Sequence, residues 1–292
     1  MKLGAYMIVK NEEKCLDSCL SSLKGLDEIV ILDTGSVDKT ADVAGKYPCT
    51  YIPDTYAWQD DFAHARNASM EYSTSDWLIV IDADEIFKGD LDKIRDTISK
   101  NPELTSYKVP TISIRTKDEH LSVRLHKRDK NIKWHAPAHN YLSVKGDVVM
   151  DDMQIHYGYS PAHATDPDRT LRILSKYVNS NPACIREKYY LAREYFYRGN
   201  YRVASSYWEW YLETSTKGPE IADTWLYLAR CYSYSGKADK AKDSCLQAIK
   251  MNGNFREAWR FLASMSGPGN KKRFNEIADT ASNEGLLFVR GK

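Results

Sequence analysis

Three short apolar runs, Gly4 to Val9, Glu28 to Leu32 and Trp77 to Ile81, set the first constraint on this chain. None alternates polar with apolar residues as a strand with one wet face would, so each reads as a strand covered on both sides. Between the first two, Glu13 to Lys24 carries Leu16, Cys19, Leu20 and Leu23 at helical spacing. A second helix fits Ser36 to Lys46, with Asp38 and Thr40 in its first turn. Short buried strands alternating with helices make a parallel α/β sheet, and the expected fold of this part is an α/β nucleotide-binding layer.

The chain changes character near residue 164. All seven histidines (64, 120, 126, 135, 139, 156 and 163) precede that point, and from about Ala183 the pattern is helical. Trp225-x-x-Leu228-Ala229-x-x-Tyr232 returns 34 positions on as Trp259-x-x-Leu262-Ala263. An earlier copy, Leu191-Ala192, Tyr195, Gly199, Tyr201, Ala204 and Trp208, matches Leu228-Ala229, Tyr232, Gly236, Ala238, Ala241 and Cys245 at a constant offset of 37. This resembles the tetratricopeptide repeat, whose small residues let two helices pack closely in each unit. The third copy loses the pattern after Ala263, at Gly267-Pro268-Gly269, and is expected to act as a cap. Tyr189, Tyr190, Trp208, Trp210 and Tyr211 read as packing within the repeats. With 292 residues the chain has room for two domains of roughly 100–200 residues, placed here at 1–164 and 165–292.

Charge excludes little. Lys and Arg total 41 against 40 Asp and Glu, so nothing draws the whole chain to phosphate backbones or anionic lipid. A local excess lies between Arg115 and His135, where Arg115, Lys117, Arg124, Lys127, Arg128, Lys130 and Lys133 face Asp118, Glu119 and Asp129. It reads either as an edge strand blunted by lysines or as a basic flap over an anionic ligand. The apolar runs fall far short of the roughly 18 residues a membrane span needs, and the start shows no signal peptide. Six cysteines (15, 19, 49, 184, 231 and 245) without a Cys-x-x-Cys pair suit reduced core thiols, and the expected location is cytoplasmic.

The chemistry concentrates where the third strand ends, in Asp82-Ala83-Asp84-Glu85. Carboxylates at i and i+2 leaving a sheet converge, and they repel unless a cation or sugar hydroxyl lies between them. Oxygen donors alone suit Mg²⁺ or Mn²⁺ gripping a diphosphate. Read structurally, the same residues are an acidic loop with Glu85 at a helix start.

Four segments in order carry a family resemblance: Met7 to Glu13, Asp27 to Thr40, Asp61-Phe62-Ala63-x-Ala65-Arg66-Asn67, and Trp77 to Glu85. They resemble the family 2 glycosyltransferases with a GT-A fold. Arg124-Leu125, Trp134 to His139 and Gln154 to Tyr159 are similar to the subgroup in which tetratricopeptide repeats follow the catalytic domain, a group that includes peptide S-glycosyltransferases. The resemblance implies a GT-A domain followed by an all-α repeat domain. It assigns the nucleotide-sugar donor, a UDP-sugar above all, to Val9, Asn11, Glu12, Asp33, Arg66, Asp82 and Ala83. Asp33 would accept the imino proton of a uracil-type base, Arg66 would lie near base and phosphates, and Asp82 would touch ribose or sugar hydroxyls. Asp84 and His156 would hold Mn²⁺ or Mg²⁺, which neutralises the departing diphosphate.

Family 2 enzymes usually invert the anomeric carbon and need a base for the acceptor proton. Where the subgroup shows His-Glu, this chain has His139-Asn140, and an amide offers no basicity. His139 could substitute, Asp151 or Asp152 could swing in, or a thiol acceptor could need less help. His135 is a further candidate, and Arg124 is expected to close over the diphosphate. The expectation is a metal-dependent inverting glycosyltransferase whose acceptor is a glycan, a peptide side chain or a hydroxymethylated base, with the repeats recognising it or pairing two copies. The alternative is a nucleotide-sugar-binding or repeat-scaffold protein that has lost its base.

Overall fold

The computed structural model describes residues 1–53, 56–144, 146, 148–215, 218 and 220–281. The expected repeat domain therefore has its last residues, 282–292, outside the described part. The chain forms two compact units, which divide between Arg169 and Thr170.

The first unit opens with β1 (Leu3–Val9), α1 (Leu16–Ser22), β2 (Glu28–Asp33), α2 (Thr40–Ala44) and β3 (Thr50–Ile52). It continues with α3 (Phe62–Glu71), β4 (Trp77–Val80), β5 (Glu85–Gly89), α4 (Leu91–Lys100), β6 (Ser106–Ser113) and β7 (Glu119–Lys127). A small hairpin, β8 (Trp134–His135) with β9 (Tyr141–Leu142), precedes β10 (Met153–Tyr157). Eight strands form one mixed sheet in the order β3-β2-β1-β4-β7-β6-β10-β5. β1 pairs in parallel with β2 and β4, whereas β7 runs antiparallel to both β4 and β6.

The apolar runs explain the layers. Along β1, Leu3, Ala5, Met7 and Val9 face one core and Tyr6 the other, and Ile29, Ile31, Trp77 and Ile79 alternate with Val30, Leu32, Leu78 and Val80 in the same way. The first core is covered by Leu16, Cys19 and Leu20 of α1 and by Ile94 and Ile98 of α4. The second lies under Ala63 and Met70 of α3 and under Trp134 and Leu142 of the small hairpin. Burial on both faces is why these strands carry no polar alternation.

The first two helices are shorter than their periodicity predicts. Residues 33–39 are spent on a turn instead: the Asn11 side chain accepts from the Val37 amide at 2.8 Å, and Asp38 accepts from the Thr40 amide at 3.0 Å. These side chains offer the backbone partners outside a helix, so α2 starts only at Thr40.

The second unit consists of α5 (Arg169–Ser180, reaching back one residue), α6 (Arg186–Tyr197), α7 (Tyr201–Thr214), α8 (Glu220–Tyr234), α9 (Ala238–Met251), α10 (Arg256–Ser264) and α11 (Pro268–Thr280). α6 packs on α7, α8 on α9 and α10 on α11, giving the helix pairs of a tetratricopeptide-like array. Ala229, Cys245, Ala248 and Ala258 are fully buried, the small residues that let neighbouring helices approach. Gly267-Pro268-Gly269 does not end the third copy; Pro268 takes the first turn of α11, where its missing N–H costs nothing. Tyr189, Tyr190, Trp208 and Tyr211 are buried, and Trp210 is half-exposed. Among the described residues, no helix is long and apolar enough to cross a membrane.

One buried polar chain ties the sheet to its second layer. Trp134 Nε1 donates to the Tyr6 hydroxyl at 2.7 Å, and Tyr6 pairs with His126 Nε2 at 3.0 Å. Because indole can only donate, Tyr6 donates onward to Nε2, leaving His126 Nδ1–H for the Lys127 carbonyl at 2.8 Å. Burial lowers His126 to about 4, so the folded chain holds it neutral. In the unfolded chain it titrates near its ordinary ~6.5, and between these values the unfolded state binds the extra proton. Stability from neutral His126 is therefore complete at pH 7 and is lost as the pH falls through that window, by about 3 kcal/mol. The stability advantage of wild type over His126→Gln, measured by urea unfolding, is expected to shrink by that amount between pH 7 and pH 4; a constant advantage would contradict the neutral assignment.

Candidate active site

The chain from β1 runs to β2 and β3 on one side of the sheet, then crosses back so that β4 lies on the other side of β1. The carboxyl ends of β1 and β4 thus frame a topological switch point, the place where open α/β sheets leave a crevice for ligands. The candidate residues converge there because they end these strands.

At the ends of β1 and β2, the Val9 carbonyl accepts from both the amide and the hydroxyl of Thr34, at 2.9 and 3.0 Å. Asp33 is buried; its Oδ1 accepts from the amides of Gly35 and Ser36 at 2.9 and 2.7 Å, and its Oδ2 from the Tyr51 hydroxyl. Gly35 sits at φ 106°, which permits this tight turn. Asn11 takes the left-handed region at φ 58°, and its backbone amide donates to Ser36 Oγ at 2.9 Å. Asp33 is thus held by three donors, and a carboxylate with about four lone-pair sites keeps capacity for one more.

The motif Asp61 to Asn67 builds the wall. Asp61 caps α3 by accepting from the His64 amide at 2.9 Å. One turn in, Arg66 Nη2 reaches Asp82 Oδ1 at 2.7 Å, and its guanidinium lies 5.1 Å from the centroid of the Trp134 ring. Arg66 Nε and Nη1 are buried without a hydrogen-bond partner, a cost that marks the crevice as built for a further acceptor. Asn67 clamps the small hairpin, donating to the Trp134 carbonyl at 3.0 Å and accepting from the Trp134 amide at 2.8 Å. The Phe62 amide donates to the Pro137 carbonyl at 2.9 Å, so the loop that carries His139 is tied to the start of α3.

The acidic motif is held from several directions. Glu85 is buried and accepts two bonds from Arg124, at 2.6 and 3.0 Å, plus the Asp82 amide at 2.8 Å. It lies in β5 rather than at a helix start. Burial raises the Glu85 carboxyl, and Arg124 is the largest influence holding it down. Cys19 Sγ donates to the Asp82 carbonyl at 3.5 Å. Asp84 accepts the Ser160 amide at 3.1 Å on Oδ2, and its carbonyl accepts the Gly158 amide at 3.0 Å. The Ser160 hydroxyl donates to Glu12 Oε2 at 2.6 Å. Burial pushes the Glu12 carboxyl up to about 7, the Ser160 bond opposing it and Asp84 and Asp82 adding to it.

Asn11, Glu12, Asp33, Arg66, Asp82, Ala83 and Asp84 therefore share one set of strand ends, whereas the other candidates are placed differently. In the antiparallel register of β10 with β5, His156 faces Ile86, two positions from Asp84. Its Nε2 donates to Gln154 Oε1 at 3.1 Å. Burial first, and then Lys88 and Lys117, lower its pKa, favouring neutral imidazole. Among the described residues no three His, Cys, Asp or Glu side chains form a ready metal cage. Two carboxylates, one already sharing its charge with Arg66, fit a hard cation that takes its remaining ligands from substrate phosphates and water. His139 is exposed in the hairpin loop with φ 49°, beside Asn140, and His135 stacks on Tyr141 at 5.5 Å.

Asp152 does not join the crevice, contrary to expectation. It precedes β10, where its Oδ2 accepts from Thr97 of α4 at 3.2 Å and its carbonyl accepts from the Asp90 amide at 3.2 Å. The five residues of β10 separate it from the Tyr157 end beside Glu85, roughly 16 Å of extended chain. Asp151, exposed one residue earlier, lies at that same far end. Arg124 faces Glu85 rather than open solvent. Ser160 and Tyr51 carry the site without a sequence signal, Glu85 is visible in its motif but reads there as a helix start, and the position of Asn67 in its motif could have pointed to its clamp.

A family model described as glycosyl transferase family 2 matches residues 5–148. The first unit is a family 2 glycosyltransferase domain. The SPbeta prophage-derived glycosyltransferase SunS of Bacillus subtilis is 31% identical over 184 residues, 57% of this chain and 42% of that protein. The lipopolysaccharide core biosynthesis glycosyltransferase LpsC of Rhizobium meliloti is 30% identical over 112 residues, 37% of this chain and 42% of its own length. A TPR repeat-containing protein of Synechococcus elongatus is 42% identical over 85 residues, 29% of this chain and 21% of that one. The chain spans less than half the length of each of these relatives.

In this glycosyltransferase domain the Glu85–Arg124 pair has a measurable consequence. Removing one partner of a buried ion pair strands the other charge, at a cost of about 3–5 kcal/mol. Arg124→Met is expected to lower urea stability on that scale; a loss under about 1 kcal/mol would mean the pair behaves as a solvent-screened surface bridge.

Proposed function

We propose that the chain is a metal-dependent, inverting glycosyltransferase that takes its sugar from a UDP-linked donor. The observation that carries this reading is the convergence of Asp82, Asp84 and the partly unsatisfied Arg66 guanidinium at the carboxyl ends of β1 and β4. Asp33, with room for one more donor, accepts the imino proton of the base. The orphaned nitrogens of Arg66 supply cation and donors to the nucleotide. Asp82 meets sugar or ribose hydroxyls.

Asp84, with Asp82 and neutral His156 nearby in register, would hold Mn²⁺ or Mg²⁺. That cation supplies electrostatic stabilisation of the departing diphosphate. Arg124 acts one step away, holding Glu85 through two hydrogen bonds so that Glu85 fixes the Asp82 amide. His139 is the basic group that the clamped hairpin presents, and it takes the acceptor proton. The acceptor is a glycan, a peptide side chain or a modified base; the lipopolysaccharide core named for the Rhizobium relative supports a glycan. The helical unit serves acceptor recognition or the pairing of two copies.

Incubating the full chain with UDP- and GDP-sugars and Mn²⁺ or Mg²⁺ is expected to release nucleoside diphosphate from a UDP-sugar, and EDTA should abolish release. Asp84→Ala is expected to reduce turnover by at least about 10²-fold with little change in melting temperature. Turnover by Asp84→Ala at the wild-type rate would remove the metal assignment. Donor binding without turnover across an acceptor panel would favour the binding-protein alternative.

A further inference from the structure

We infer that Trp58, Phe62 and Arg169 form an acceptor subsite for an anionic sugar, a pyranose that carries a carboxylate or phosphate. This rests on the glycosyltransferase reading above and names the class of its acceptor. Trp58 is half-buried, and its ring meets that of Phe62 at 5.0 Å between centroids and 69° between planes, so the two form an aromatic corner. Trp58 Nε1 donates to Asp60 Oδ1 at 3.0 Å, which commits the one polar atom of the indole and fixes the ring. Arg169, the last residue of the first unit, lays its guanidinium 5.0 Å from the centroid of the Phe62 ring. Among the described residues that guanidinium has no hydrogen bond or ion pair, so its donors remain for a ligand. Asp60 and Asp61 each spend an oxygen elsewhere, on Trp58 and on the His64 amide.

The corner stands where an acceptor has to be. Phe62 and Arg66 are four residues apart on α3 and share one of its faces, so the corner lies one turn from the donor crevice. The Phe62 amide donates to the Pro137 carbonyl at 2.9 Å, tying the same residue to the loop that carries His139. Backbone strain gathers here: Asp60, Ala136 and His139 take φ of 58°, 69° and 49°, values that persist only where the surroundings enforce them. The chemistry of the corner selects its ligand. Two crossed rings with no polar atom to spare suit the C–H face of a sugar, whereas peptide amides would go unpaired against them. A guanidinium lying flat on an aromatic ring keeps its edge for carboxylate or phosphate.

The test is saturation-transfer NMR on the full chain with Mg²⁺ and saturating UDP. The probes are methyl β-D-glucuronide, glucose 6-phosphate, methyl β-D-glucoside and N-acetylglutamate amide. At least one anionic sugar is expected to bind about tenfold or more tightly than the glucoside and the glutamate derivative, and the tighter one identifies the acid group. Arg169→Gln is expected to remove this preference and leave glucoside affinity unchanged. Trp58→Ala should weaken every sugar about tenfold, and Trp58→Phe, which keeps a ring, should fall between it and wild type. UDP affinity should be the same in all variants, which separates loss of the subsite from loosening of the fold. Equal affinity for charged and neutral sugars, or an unchanged preference in Arg169→Gln, would overturn the inference. The glutamate derivative binding as tightly as the sugars would put an acidic peptide in their place and overturn it too. A wild-type chain that binds UDP but neither anionic sugar would overturn this inference alone; one that binds no UDP would overturn the donor reading with it.

Discussion

Four carboxylates, Glu12, Asp82, Asp84 and Glu85, crowd the ends of two neighbouring strands, and the surrounding structure serves to contain their mutual repulsion. Each has a separate solution. Asp82 faces Arg66, Glu85 faces Arg124, and Glu12 and Asp84 share Ser160. Glu85 is also the acceptor for the Asp82 amide, so the ion pair that neutralises one acid shapes the turn that carries the next. Such an arrangement is stable only if every partner is present, because a buried charge deprived of its counter-charge costs several kcal/mol.

Containment leaves a residue of unmet valence, and that residue is where function resides. Arg66 gives one nitrogen to Asp82 and has two with no partner; Asp33 has three donors and room for one. A fold that satisfied these groups internally would be more stable and would bind nothing. The layer behind them is rigid by contrast. Trp134, Tyr6 and His126 form a fully paired chain, and Asn67 fastens both backbone groups of Trp134. The ring over Arg66 therefore cannot drift, and the loop with His139 begins from a fixed point.

Much of the first unit was legible because its strands are short, apolar and unalternating, and a strand buried on both faces leaves that pattern. The repeats were legible because Leu228-Ala229 and its copies must be small and apolar for helix pairs to close. Helix boundaries were less legible: Asn11 and Asp38 draw the chain around 33–39 into a turn, and propensity cannot weigh side-chain bonds to distant backbone. Asp152, an alternative to His139 as the base, lies at the far end of β10 against Thr97, a separation that closeness in sequence to His156 hides. Arg124 was read as a flap over phosphate, yet its guanidinium is claimed by Glu85.

The sequence by itself determined the layers, the repeat and the identity of the acids at the strand ends, since these follow from periodicity and from residue types next to one another. Tertiary structure alone decided which cation meets which acid. It brought Ser160 to Glu12 across 148 positions and set Arg124 against Glu85 across 39. Electrostatic pairing depends on distance in space and on exclusion of water, and neither is written in the order of residues along the chain.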